Sequence, residues 1–390
     1  VDIVEPQSEA DPAALLIQFL AASGSALGAG PHALAEAANH PARLFVAVVG
    51  ESSKARKGSS MGHVKKPVEW AFDGFKDQIV SGLSSGEGVI ARVSDPLPDD
   101  DEQIPAIDKR LLIVEGELAQ PLRQMQRQGN TLSTALRNLW DDGSAQILTR
   151  NNPLKACDAH VSIIGHITAD ELRQELSAVD SSNGFANRFM WVWSRRSKLL
   201  PEGGNVDNAA LLDLAKELEL AGRWARESRL LRRTDKAREL WATEYTRLSE
   251  ALPGLVGAVT SRSEAQVLRL SVVYAALDRS EVIDTDHLRA ALEVWRYCED
   301  SARMIFGGKT GNKLADRLRH LLHHAGNAGL SLTEIQNLTG RNYNSGDLDT
   351  ALAELSAHGL AHMEKRPTGG RPEVRWYETN ELTEQSRVAQ

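Results

Sequence analysis

LFVAVVGESSKARKGSS, residues 44–60, is the stretch on which the fold turns. An apolar, β-branched run breaks at Gly50 into a short loop carrying Lys54, Arg56 and Lys57, then Gly58, Ser59 and Ser60, and a helical pattern follows from Met61 to Phe72. Strand, glycine-bearing basic loop and helix is the arrangement that cradles nucleotide phosphates. Backbone N–H groups and the positive helix N-terminus meet the anion there, and a lysine adds charge. The spacing departs from G-x-x-x-x-G-K-[ST]: Ala55 stands where the second glycine belongs and Arg56 where the lysine belongs, with Lys57 one place later. A merely basic surface turn is the plainer alternative.

Working outward, RLLIVEGE (110–117) reads as a buried strand ending in Glu115 and Glu117, which point to the same side because they are two apart. In P-loop NTPases a carboxylate at such a strand end holds the magnesium water shell, and a neighbour can orient the attacking water. GLSSGEGVI (82–90) adds Glu87, read as a loop residue just before a strand and a rival to Glu117 as general base. HVSIIGHIT (160–168) is a strand running into His166 and Thr168, either of which could sense a γ-phosphate or simply cap the helix that starts near Ala169. SSNGFANRFMWVWSRR (181–196) places Arg188 before an apolar strand. An arginine at the rim of such a core can reach the transferred phosphate, often across a subunit boundary; a structural arginine paired with a carboxylate is the alternative.

The bulk numbers frame this reading. A chain of 390 residues with 42% hydrophobic and 25% charged content fits an ordinary multidomain protein. Its net charge of −8 gives no overall basic footprint for nucleic acid. Cys157 and Cys298 lie far apart, which suggests neither a disulfide framework nor a cysteine zinc site, and a reducing cytoplasm is expected. No apolar run reaches the roughly 18 residues of a membrane helix. The acidic start, VDIVEPQSEADP, is unlike a signal peptide, and its valine suggests a trimmed or processed end.

Four regions follow from composition and period. Residues 1–40 read as an N-terminal helical segment with a Gly/Ser/Pro interruption at 23–31, and residues 41–200 as an α/β domain. Its strand candidates are 44–49, 88–93, 111–114, 145–149, 159–164 and 188–193, several of them continuous apolar runs of the kind a doubly covered parallel sheet requires. Helical patterns sit at 61–80, 118–139 and 169–178. Residues 201–307 carry a 3.6 period, clearest at 285–305 behind Asp284 and Thr285, and read as an all-α domain. Within it, Arg223, Arg226, Arg229, Arg232 and Arg233 with Lys236 read as a helical basic stripe, most simply a solvated face. Residues 312–380 read as a winged helix: helices at 314–324, 332–338 and 348–358, then a hairpin whose tip carries Lys365, Arg366 and Arg371, near Arg375. A third helix plus a basic hairpin is how many such domains meet DNA, and a protein–protein module of the same fold is the alternative. The run HLLHH (320–324) lacks the partners a zinc site needs.

Together VVGESSKARKGSS, GLSSGEG, RLLIVEGELAQPLRQMQRQGNTLSTALRNLWDDG, HVSIIGHIT, NGFANRF and SEAQVLRLSVVYAALD resemble a domain-of-unknown-function group of RecA/DnaB-like P-loop ATPases. That group occurs in phages, plasmids and integrated elements, is similar to RepA-type replicative helicases, and is often linked to a primase–polymerase. The resemblance covers roughly residues 40–306 and implies a RecA-like core binding ATP and Mg2+. Lys57 becomes the P-loop lysine, Ser59 or Ser60 the magnesium hydroxyl, Glu115 and Glu117 the acidic strand end, His166 or Thr168 the sensor and Arg188 the finger. It further implies a DNA motor acting as a ring-forming homo-oligomer, with a primase–polymerase as partner. A nucleotide-switched replication initiator, a winged-helix DNA-binding regulator without motor activity and a catalytically dead adaptor are the rival expectations.

Overall fold

In the computed structural model the described residues are 1–51, 56–96, 108–148, 153–176, 183–252, 254–307, 310, 312–357, 359–367 and 373–379. Helix α1 (Pro12–Leu27) starts on Asp11, whose side chain accepts from the Ala13 N–H, with a proline in its first turn. It runs through the Gly/Ser stretch that the sequence reading takes as an interruption. Small residues serve close approach there: a Cβ on Gly24 would lie 2.4 Å from the Ala42 carbonyl oxygen, and Ser23 and Ser25 are fully buried. The helix stops at Gly28, whose φ of 82° suits glycine. A hairpin of β1 (Pro31–Ala35) and β2 (Ala38–Pro41) follows in place of further helix.

Strand β3 (Phe45–Gly50) is buried at every residue. After it come α2 (Lys57–Ala71), β4 (Ile79–Val80), α3 (Gly86–Arg92), β5 (Arg110–Glu115), α4 (Ala119–Met125), α5 (Leu132–Asp141), β6 (Ala145–Ile147), β7 (Leu154–Ala156), β8 (His160–Thr168), α6 (Ala169–Glu175) and β9 (Phe189–Ser194). Five strands form one parallel sheet in the order β4-β5-β8-β3-β9. This is the expected α/β core. Two strand assignments change. Residues 88–93 belong to helix α3, capped by Ser85, whose Oγ accepts from the Gly88 N–H at 3.1 Å. Residues 145–147 pair with β7 in a separate antiparallel ribbon. The outer strand is instead the two-residue β4, and the helical pattern at 118–139 divides into α4 and α5.

Since all five strands run the same way, every carboxyl end lies on one edge: Gly50, Val80, Glu115, Thr168 and Ser194. Phe45, Arg110, His160 and Phe189 start the strands on the other. Helix α1 crosses one face of the sheet, and α2 packs on α1.

The chain continues through α7 (Asn208–Trp224), β10 (Arg229–Leu230), β11 (Arg232–Arg233), α8 (Asp235–Leu248), α9 (Gly254–Thr260), α10 (Ser263–Leu277), β12 (Val282–Ile283) and α11 (Thr285–Phe306). The 3.6 period is real, but Arg229 to Arg233 lie in extended segments, β10 pairing with β1 and β11 with β12. They form no helical stripe. Leu211, Leu218, Val267, Leu270, Leu288 and Trp295 share a core with α1, α2 and β3. Helices α7, α8, α10 and most of α11 therefore belong with the sheet, in a unit spanning residues 1–250 and 259–305.

A second unit takes residues 251–258 and 306–390. It contains α12 (Lys313–Ala325), β13 (Leu330–Ser331), α13 (Leu332–Leu338), α14 (Ser345–Ala357), β14 (Ala361–Arg366) and β15 (Glu373–Glu378), with an antiparallel sheet ordered β13-β15-β14. Leu318, Leu322, Ile335, Leu348, Leu352 and Leu355 fill its core. Three helices followed by a hairpin is the expected succession. Among the described residues no helix is long and apolar enough to cross a membrane.

Candidate functional site

Open parallel sheets bind ligands outside the carboxyl ends of their strands, where neighbouring connections leave in opposite directions. Here the chain leaves β3 for the far edge at β4, whereas from β8 it passes over β3 to β9. The crevice therefore falls at Gly50, which sits in register between Thr168 and Ser194.

Helix α2 opens into this crevice. Arg56 precedes it in the left-handed region, at φ 56°. Ser60 N–H donates to the Arg56 carbonyl at 3.2 Å as the first i→i−4 bond, so the N–H groups before it have no acceptor within the helix. A Cβ on Gly58 would meet nothing within 4 Å. Lys57 is buried, and burial lowers its pKa against the opposing pull of Glu171. Lys54 and Ala55 lie outside the described residues.

Beneath the first turn runs a buried chain of hydrogen bonds. Ser60 Oγ donates to the Lys57 carbonyl at 2.6 Å and accepts from Gln18 Nε2 at 2.6 Å. Gln18 Nε2 also donates to the Ala14 carbonyl at 2.8 Å, and Gln18 Oε1 lies 3.0 Å from His166 Nε2. With the amide donating on one side, His166 must donate from Nε2, which fixes its neutral tautomer. Burial first, and then the Lys57 charge, lower the His166 imidazole to about 4. These facts correct two expectations. Ser60 and His166 are inward-facing framework, so neither meets a bound phosphate, and exposed Ser59 is the hydroxyl left on the outer side of the turn. Thr168 caps α6 in a capping box with Glu171: its Oγ1 donates to Glu171 Oε2 at 2.8 Å and accepts from the Glu171 N–H at 3.3 Å. The helix-cap alternative is thus its observed role.

The two glutamates after β5 separate clearly. Glu115 is buried, and its Oε1 accepts from the N–H groups of Gly82 and Leu83, both at 2.7 Å, fastening the glycine-rich loop. Glu117 is exposed, and its carboxylate makes no hydrogen bond or ion pair among the described residues, while its backbone carbonyl accepts from the Gln120 N–H at 3.0 Å. The next residue, Leu118, ties the turn to β8 through its N–H and the His166 carbonyl at 2.9 Å. Strand β5 stands two spacings from β3, roughly 10 Å, a span that a phosphate and a hydrated cation can bridge. Glu87 belongs to the first turn of α3 rather than to a loop before a strand, and it accepts from Thr131 Oγ1 at 3.1 Å. Its own backbone N–H, Thr131 and Ser85 hold its carboxyl low. It follows β4, three spacings or roughly 14 Å from β3, so Glu117 is the better placed of the two.

Arg188 lies at the wrong edge. It precedes β9, hence stands at the amino ends of the strands, roughly 20 Å from the crevice along a six-residue strand. Only 4% exposed, it binds Asp141 through NH2 at 2.6 Å and Nε at 3.2 Å, and donates to the Gly184 carbonyl. Arg43, Arg262 and Arg269 join it around Trp140, the Arg269 guanidinium only 3.5 Å from the ring centroid. Arg195 and Arg196, directly after β9, stand at the carboxyl edge with Arg56. Glu9 bridges Arg196 (3.3 Å) to Arg56 (2.7 Å), while the Leu200 N–H helps hold its carboxyl low. The sequence signal for Arg195 and Arg196 is the SRR tripeptide at the end of the apolar run 189–193.

In the second unit, Lys365 is exposed on β14, and Arg366 rests over the Tyr377 ring at 5.4 Å while donating to the Asn327 carbonyl at 3.4 Å. Arg375 is engaged within the unit by Glu334 (2.9 Å), Glu373 (2.8 Å) and the carbonyls of Ala328 and Gly329, which neutralise its charge. Arg371 lies outside the described residues. The third helix, α14, carries Asp347, Asp349 and Glu354 and no basic residue. His320 and His324 approach at 3.0 Å, yet among the described residues no group of three or more metal-ligating side chains occurs.

Compared with known proteins, the chain matches no family model, and no curated protein matches it closely enough to count as a relative.

Proposed function

We propose that the first unit binds a nucleoside triphosphate with Mg2+ and hydrolyses it, and that the protein is an ATP-driven DNA motor of the replicative-helicase type from a mobile element. The observation that carries the nucleotide reading is the start of α2, which opens with Lys57, Gly58 and Ser59 onto the carboxyl edge at the point where strand connections diverge. The order β4-β5-β8-β3-β9, with the acidic strand β5 one strand removed from β3, supports a RecA-like core.

The roles follow from position. Lys57 and the first N–H groups of α2 hold the phosphates. Ser59 and the Glu115–Glu117 turn flank the metal, which in such sites keeps several waters and takes most of its ligands from the substrate. Glu117, with its carboxylate uncommitted, orients the attacking water. The motor, ring and primase–polymerase elements rest on the resemblance alone, because Arg188 is internal and ion-paired and gives no argument for a finger reaching a neighbour.

A second reading, a nucleotide-switched initiator without motor activity in which the second unit recognises DNA, draws support from Arg188, which is internal and ion-paired. If this unit is a winged helix, its third helix is acidic and Arg375 is neutralised, which leaves Lys365 and Arg366 as its described basic contacts. ATP hydrolysis with and without single-stranded DNA, on wild type, Lys57→Ala and Glu117→Gln, separates the readings. DNA-stimulated turnover lost in both variants is expected of the motor. Tight ATP binding without turnover would favour the switch, and no ATP binding would sink both.

A further inference from the structure

Strand β9 ends with Ser194 beside Gly50, and the chain then runs through Arg195, Arg196 and Ser197 along a cleft of about 560 Å³. Tyr297 of α11 forms the facing wall. Its hydroxyl donates to the Trp193 carbonyl at 2.8 Å, which pins the phenol at the carboxyl end of β9 while leaving the residue 41% exposed. Asp11 closes the cleft, but both its oxygens are occupied, Oδ1 by the Ala13 N–H and Oδ2 by the Arg195 N–H, each at 2.9 Å. Asp11 keeps its negative charge, and Arg195 and Arg196 in the same lining offset it. The Arg195 guanidinium is exposed and makes no hydrogen bond or ion pair among the described residues, and Arg196 Nε is buried without a partner.

A side-chain bridge ties the cleft to the start of α2. A single carboxylate, Glu9, touches Arg196 on one side and Arg56 on the other, so the two sites are linked through the side chains of those two arginines. An exposed phenol face and an unpaired guanidinium together select a flat, polar, π-faced ligand, since aromatic and arginine planes both stack on bases. A bare anion makes no use of the ring, and an apolar ligand would strip water from two guanidinium groups. The volume is within the range of small-molecule sites.

Resting on the reading that phosphates lie at the start of α2, we propose that this cleft holds the nucleoside of the same nucleotide, with Tyr297 and Arg195 stacking on the base. Calorimetric titration of the full chain with Mg–ATP and, separately, inorganic tripolyphosphate tests it. Tyr297→Leu and Arg195→Ala are expected to weaken ATP about tenfold each and leave tripolyphosphate unchanged, while Tyr297→Phe, which keeps the ring, binds ATP within about twofold of wild type. Melting curves confirm that each variant is folded. Unchanged ATP affinity in both Tyr297→Leu and Arg195→Ala overturns the inference, as does an equal loss for both ligands. If ATP binds in a Tyr297-dependent way but tripolyphosphate does not bind at all, the cleft stands and the phosphate site falls. Binding of neither ligand overturns both.

Discussion

The two edges of the parallel sheet carry similar residues and do opposite things with them. At the amino edge Arg43, Arg188 and Arg269 are buried, bonded to carbonyls and Asp141, and gathered around Trp140. At the carboxyl edge Arg56, Arg195 and Arg196 are partly or wholly exposed, and Lys57 sits at a helix start. Residue type does not distinguish a framework arginine from a ligand-facing one. Strand direction does, because it decides which end of the sheet a loop leaves from.

Substitutions at the amino edge should therefore change stability and leave nucleotide affinity alone. The largest effect is expected of Arg269→Ala. Arg269 is 1% exposed and donates to the Trp140 carbonyl at 2.8 Å and the Arg43 carbonyl at 3.2 Å. Its removal takes a donor from each of these buried carbonyls, of which only that of Trp140 keeps a second donor in Arg43, and leaves a cavity beside Trp140, about 4 kcal/mol in all. Urea denaturation measures the loss, and an ATP affinity that fell with it in still-folded protein would erase the distinction between the edges.

Acid is expected to act on both edges at once. His160, at the amino edge, is lowered to about 3 by burial and then the Arg43 charge, and His166, at the other, to about 4. Each folded-state value lies below the ordinary 6.5, so the unfolded chain binds more protons between the two values. Stability contributed by the neutral rings is complete above pH 6.5 and is lost as pH falls toward 4, on the order of 3 kcal/mol for His166. His166→Gln should flatten that slope. A pH-independent stability between 4 and 7 would contradict the assignment.

Gln18→Leu comes next, at about 2 kcal/mol, because it strands the His166 N–H and removes the donor to Ser60 in a buried site. Its signature besides stability is local: the His166 ring resonances should shift while those of His160 stay put. The smallest effect is expected of Arg195→Ala, within about 0.5 kcal/mol in the unliganded protein. A large destabilisation there would make Arg195 framework like Arg188.

Much of this was legible in the sequence, and for identifiable reasons. Strands β3, β5, β8 and β9 are covered on both faces, so they read as continuous apolar runs. The succession of helices and hairpin at 312–380 was clear because each helix repeats its apolar residues at 3.6. Helix α3 was misread because Gly88, Val89 and Ile90 form an apolar run too short to show a period, and its helicity comes from the Ser85 cap and packing on α5. The hairpin at 31–41 reads helical by composition, since PHALA and ANHP lack β-branched residues; its β1 strand is held by pairing with Arg229 and Leu230, some 200 residues away. At the site, the basic loop and acidic strand end were visible. That Glu115, Ser60 and His166 face inward, whereas Glu117 and Ser59 do not, depends on tertiary partners such as Gln18 and Gly82 that no local pattern announces.

Hydrogen exchange across the whole chain, with and without Mg–ATP, tests the central claim most directly. The account predicts slowed exchange at the first turn of α2 and around Glu117, with no change at Arg43, Arg188 or the start of β8. Protection confined to the amino edge, or none anywhere at saturating ATP, would contradict it.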